Sequence, residues 1–194
     1  TTLVMVSGSY NQLRDSDIEK IKDWVGKGNT LITIARGSSW AINKKIVDET
    51  LVKGKKDTVF SRKNYVDARE NIGRERIGGV ILSVDIDLTH PLAFGYNDLS
   101  IPVYKNNNVF INKTSDHYSS VAIYSEDAHI DGYISKNNLK NFIPGSASLL
   151  VSRINSGRVV LFADNPNFRG SWYGTNKLFL NAIFLGNNII VPTN

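Results

Sequence analysis

The sequence predicts an α/β domain with a mainly parallel central sheet. Three observations predict it: apolar, nearly uncharged runs at Leu3–Val6, Thr30–Ile34 and Arg158–Phe162, each ending in a loop rich in Gly, Ser or Asn. Uninterrupted runs of this kind suit strands buried on both faces, whereas one-sided hairpins alternate apolar with polar residues.

The elements follow in order. Leu3-Val4-Met5-Val6 is a strand ended by Ser7-Gly8-Ser9. Ser16-Asp17-Ile18-Glu19 has the capping-box pattern, so a helix is expected with Ser16 as its cap. Ile18, Ile21 and Val25 share a face of that helix with Trp24 beside them, and Gly26 and Gly28 stop it. Thr30–Ile34 is the next strand; strand, helix and strand in so short a span make a right-handed crossover with parallel strands. Ser38 or Ser39 is expected to cap a helix that begins near Trp40. Short apolar pieces come next: Val80–Val84, Ile101–Tyr104, Val109–Ile111 and Val121–Tyr124, parted by Asn, Gly, Asp and Ser, read as strands and hairpins added to the sheet. Arg158–Phe162 is a further buried strand leading into a loop. Thr175 is expected to cap the last helix, whose Leu178, Phe179, Ala182, Ile183 and Leu185 form an apolar stripe closed by Gly186.

Composition bounds the chemistry. The 194 residues carry 23 Lys+Arg against 18 Asp+Glu, with 41% hydrophobic and 21% charged residues. These values describe one ordinary domain over residues 1–194 and exclude a disordered or collagenous chain. There is no Cys, which excludes thiol nucleophiles, Cys-zinc sites and redox dithiols in these residues. No apolar run approaches the ~18 residues that would cross a bilayer, and Thr1–Val4 lacks the basic flank of a leader. The expectation is a soluble domain without a signal peptide and without a membrane partner. Between Lys44 and Arg76 ten cations, among them Lys55, Lys56 and Lys63, meet six acids. Because the signs alternate, the stretch reads as a solvated, salt-laced surface, and no nucleic-acid partner is expected.

In an open parallel sheet, ligands bind beyond the carboxyl ends of the strands, where loops and helix N-termini converge. Three segments should meet there: Ser7-Gly8-Ser9-Tyr10, Ala35-Arg36-Gly37-Ser38-Ser39 and Asn165-Pro166-Asn167-Phe168-Arg169.

On these segments the chain resembles class I glutamine amidotransferase-like domains. The resemblance implies a flavodoxin-like three-layer sandwich with added antiparallel strands. In that family a strand runs into a sharp elbow, Gly-x-Cys-x-Gly, that lifts a nucleophile above the sheet, and the last strand ends in His-Pro-Glu. Thr33-Ile34-Ala35-Arg36-Gly37 stands at the elbow and Asn165-Pro166-Asn167 at the acid–base segment. Ala35, Asn165 and Asn167 thus empty the three catalytic positions, while Gly37 and Pro166 remain. A methyl group cannot attack a carbonyl, and a carboxamide does not take a proton at neutral pH. The resemblance implies a strand and a helix ahead of the strand at Leu3, and the expectation is that they are missing here or that another segment fills the slot.

A second resemblance rests on Asp87–Tyr96, Asn165–Asn176 and Leu178–Phe184, which look like the accessory domain following the catalytic domain of large secreted bacterial zinc carboxypeptidases. It implies an extracytoplasmic setting, a peptidase domain of the same parent chain as partner, and a zinc site elsewhere, since no His-x-x-Glu pair occurs here. No cofactor and no metal is expected in these residues.

Other readings remain open. Asp85, Asp87 and His90 could ligate a divalent ion, or Asp87 and Thr89 could simply bond loop amides. Ser38, His90 and Asp87 could form the constellation of a small hydrolase. Arg36 and Arg169 could clamp a carboxylate or phosphate, or bond loop carbonyls or Asp164. Phe168, Trp172 and Tyr173 could pack beneath the last helix or offer a shelf to a sugar. A carbohydrate-binding or oligomerising module would share this fold. His117 and His129 sit in polar loop contexts and read as surface residues.

Overall fold

The structure, a computed structural model, describes residues 1–54, 62, 64–116 and 118–190. Lys55, Lys56, Asp57, Lys63 and His117 lie outside the described residues.

In chain order the elements are β1 (Thr2–Met5), α1 (Asp15–Gly26), β2 (Thr30–Ile34), α2 (Arg36–Asn43), α3 (Ala68–Arg74), β3 (Val80–Ile86), β4 (Ser100–Lys105), β5 (Ile111–Asn112), β6 (Ser120–Gly132), α4 (Lys136–Asn141), β7 (Ser146–Ile154), β8 (Gly157–Phe162) and α5 (Asn176–Leu185). One sheet runs in the order β1-β2-β8-β7-β6-β3-β4, with β5 on β7. The expected parallel trio is there: β1 pairs with β2, and β2 with β8, all in parallel. The other pairings are antiparallel, so the added hairpins extend the sheet well beyond that trio.

The sheet's two faces carry separate apolar cores, which makes three layers. On one face Ile32, Ile34, Val84 and Phe162 pack under Leu178 and Ala182 of α5. On the other, Leu31, Val159 and Leu161 pack under Ile18 and Val25 of α1 and Trp40 and Ala41 of α2. All five residues of β2 are buried, as its uninterrupted composition requires.

Several local expectations are corrected. Helix α1 starts at Asp15, before Ser16, because the Asp17 carboxylate reaches back to accept the Arg14 amide at 3.1 Å. Helix α2 starts at Arg36 and has no side-chain cap; the elbow itself begins it. The Thr175 hydroxyl donates to the Pro166 carbonyl at 2.8 Å instead of capping α5. Of Val109–Ile111 only Ile111 joins a strand. Strand β7 carries no clean pattern, since serines interrupt its run; they are buried and bonded, with Ser146 Oγ donating to Ile143 O at 2.8 Å. Among the described residues none pairs with the outer edge of β1.

Candidate functional site

The crest is organised around Ala35. Its backbone has φ 49° and ψ −111°, a conformation L-residues avoid at a cost of order 1–3 kcal/mol. Neighbouring bonds hold it there. The Ala35 amide donates to Phe162 O at 2.8 Å, and its carbonyl accepts from the Ser38 and Ser39 amides at 3.0 and 3.2 Å. Gly37 completes the turn. A Cβ at that position would lie 2.8 Å from Met5 O and 3.0 Å from Val6 O, so only glycine lets α2 start against the end of β1. The strand-to-helix elbow expected from Thr33–Gly37 is therefore present, with a buried methyl group at its apex.

Ser38 sits beneath the elbow and is fully buried. Its hydroxyl donates to Phe162 O at 2.8 Å and lies 2.9 Å from Thr33 Oγ1. It braces β2 against β8 and does not cap α2. Ser39 Oγ donates to Arg36 O at 3.1 Å.

Asn165-Pro166-Asn167 follows β8 directly, beside the elbow. Asn165 Oδ1 accepts the Asn167 amide at 3.1 Å, an Asx turn that shapes the loop. Asn167 Oδ1 is buried without a partner. The loop is thus shaped by the Asn165 side chain in the place where the resemblance would put a base and its orienting acid.

The hydrolase constellation is not assembled. Asp87 Oδ1 accepts from the Thr89 amide at 2.9 Å and from its hydroxyl at 2.6 Å. His90 Nδ1 accepts the Leu92 amide at 3.1 Å, which caps a short turn, and its Nε2 is buried without a partner. Burial pushes the His90 pKa below its ordinary value, partly offset by the charge of Asp87. Among the described residues no hydrogen bond joins Ser38 to His90 or Asp87, and no three His, Asp or Glu side chains are grouped as a metal site. His129 Nε2 is 2.7 Å from Gly132 O, within β6.

The arginines also depart from expectation. Arg169 has φ 52°, is exposed, and rests 5.2 Å from the Phe168 ring centroid. Among the described residues its guanidinium makes no ion pair or hydrogen bond, so it does not brace the loop. The aromatic group packs against the edge strand β4 and not beneath α5: Tyr104 lies 4.1 Å from Phe168 and 6.0 Å from Trp172, while Tyr173 stays exposed.

Sequence reasoning missed a buried polar network that anchors the same loop from below. Lys105, fully buried, donates to Asp164 Oδ1 at 3.1 Å, Val109 O at 2.7 Å and the Tyr124 hydroxyl at 3.2 Å. Tyr124 donates to Asp164 Oδ2 at 2.5 Å and Ser148 Oγ donates to the same oxygen at 2.8 Å. Burial pushes the Lys105 pKa down while Asp164 pulls it back up; burial and the Asp164 charge together push Tyr124 well above its ordinary value. One signal was available. In β4 the inward positions are Ile101, Val103 and Lys105, so period-two alternation already turns that lysine toward the core.

Beside the elbow lies an open pocket of about 420 Å³, walled in part by Gly8, Tyr10, Arg36 and Ser39. It joins two of the three predicted crest segments. Asn165, Asp87, His90, Phe168 and Arg169 are outside its wall.

No family model matches the sequence, and no curated protein matches it. Solved structures do match the fold. A candidate GMP synthase component from Thermoplasma acidophilum superposes with a TM-score of 0.55 at 13% identity, over 96% of this chain and 73% of that chain. A candidate ThuA-like protein from Parabacteroides merdae gives 0.53 at 11% identity, over 98% and 72%. PurLQS from Thermotoga maritima gives 0.50 at 12% identity, over 93% and 78%. The fold is glutamine amidotransferase-like. At these identities the likeness speaks of fold alone.

Proposed function

We propose that this chain is a catalytically silent amidotransferase-like domain with a binding or architectural role, resembling the tail of a secreted zinc carboxypeptidase. The observation that carries the silence is the elbow: Ala35 keeps the strained backbone of a nucleophile position but presents only a methyl group. Asn165 and Asn167 support it, since neither side chain has a basic nitrogen to take a proton. The two hydroxyls flanking Ala35 in sequence are committed: Ser38 Oγ donates to Phe162 O and lies 2.9 Å from Thr33 Oγ1.

The architectural part rests on Asp87–Tyr96 and Asn165–Asn176, the segments that look like the carboxypeptidase accessory domain. In that reading the partner is a zinc peptidase domain of the same polypeptide, outside the cytoplasm, and the crest of this domain serves binding alone. The test is direct: the purified chain is incubated with glutamine and with a nitrophenyl ester. Rates indistinguishable from buffer are expected. Turnover that disappears in Ser38→Ala would overturn the silent reading.

A further inference from the structure

The pocket beside the elbow has a wall of one sign. Arg36 and Lys44 line it, and its lining contains no Asp or Glu. Arg36 is exposed, and among the described residues its guanidinium has no hydrogen bond or ion pair. Lys44 Nζ is 3.7 Å from Asp15 Oδ1, a carboxylate whose side chain is 96% exposed and so screens it weakly.

Unused donors converge on the same wall. Helix α2 opens there, and among the described residues the amide of Arg36, itself a lining residue, has no acceptor, since the first bonds to Ala35 O come from Ser38 and Ser39. Trp40 adds an independent sign. It is only 8% exposed and forms part of the wall, packed at 5.3 Å against Tyr10, yet its indole N–H has no partner. A buried donor left without an acceptor is costly, and an oxyanion supplies acceptors to it, to the guanidinium fork and to a helix N-terminus alike.

We propose that this pocket binds a small oxyanion, a carboxylate or a phosphate, held by Arg36, Lys44, the Arg36 amide at the start of α2 and the Trp40 indole. The proposal rests on reading the crest as a binding site without chemistry and names its ligand class.

Inorganic phosphate and succinate are the probes, titrated in low-salt buffer while the indole N–H resonances are followed by NMR and heats by calorimetry. Trp40→Phe assigns the Trp40 resonance. Saturable movement of that resonance is expected with phosphate, succinate or both, with those of Trp24 and Trp172 unmoved; which probe acts separates the two sources. Arg36→Gln should weaken binding about tenfold or more, as loss of a charge-assisted bond implies. Lys44→Gln should weaken it less, and added salt should weaken it throughout. No saturable shift with either anion, or unchanged affinity in Arg36→Gln, would overturn the proposal, as would a response to N-acetylglucosamine alone. Glutamine turnover would instead sink the silent reading and leave the anion titration interpretable.

Discussion

Lys105→Met tests whether the buried network holds the crest. The substitution keeps the side chain's length and removes the ammonium that bonds Asp164, Val109 O and Tyr124. Asp164 keeps the Tyr124 and Ser148 hydroxyls on Oδ2 but loses the counter-charge and the donor on Oδ1. Breaking a buried pair from one side costs about 3–5 kcal/mol, because the remaining charge stays in a poorly solvated place. The thioether stem still packs against the Phe110 and Tyr124 rings, now 4.9 and 5.4 Å from the ammonium, so the loss should sit toward the lower end. For a chain of this size each kcal/mol moves Tm by about 2–4 °C, giving a fall of about 6–12 °C at the lower bound. Asp164→Asn alone should also destabilise, leaving a buried lysine without its counter-charge. Urea melts of wild type, both single variants and the double variant give the coupling energy. A loss below about 1 kcal/mol in Lys105→Met, with additive behaviour in the double variant, would refute the account of this pair as a buried, mutually dependent unit.

The remaining predictions concern the crest. His90 is held below its ordinary value of 6.5 by burial, so the unfolded chain binds a proton first as pH falls; its stability contribution is complete above about 6.5 and is lost as pH drops through the folded value. His90→Asn, which can still accept the Leu92 amide, should flatten that acid-side slope in melts taken below neutrality. Gly37→Ala should destabilise by roughly 1–3 kcal/mol, since its Cβ meets two backbone oxygens at 2.8 and 3.0 Å; a neutral melt would show that β1 and α2 are not so tightly apposed. Asp87→Ala should cost about 1 kcal/mol, because its Thr89 bonds are exposed to water, while Arg169→Ala should stay within about 0.5 kcal/mol. Equal, larger losses in both would restore the bracing role expected of Arg169.

The parallel trio and the absence of a nucleophilic side chain at residue 35 were legible in the residues themselves. A run such as Thr30–Ile34 reports burial on both faces through its own composition, and a methyl group at residue 35 has no nucleophile in any fold. Where polar groups find their partners became visible only in the folded chain. Lys105 meets Asp164 59 residues away, and Ser38 meets Phe162 across 124 residues, distances over which local pattern carries no signal. The serines of β7 hid a central strand because their hydroxyls are satisfied by Ile143 and Asp164, groups brought close only by the finished sheet. The elbow needed the fold as well: an alanine does not choose φ 49° and ψ −111° by its own preference, and holds them because Phe162 and the first turn of α2 take up its backbone bonds.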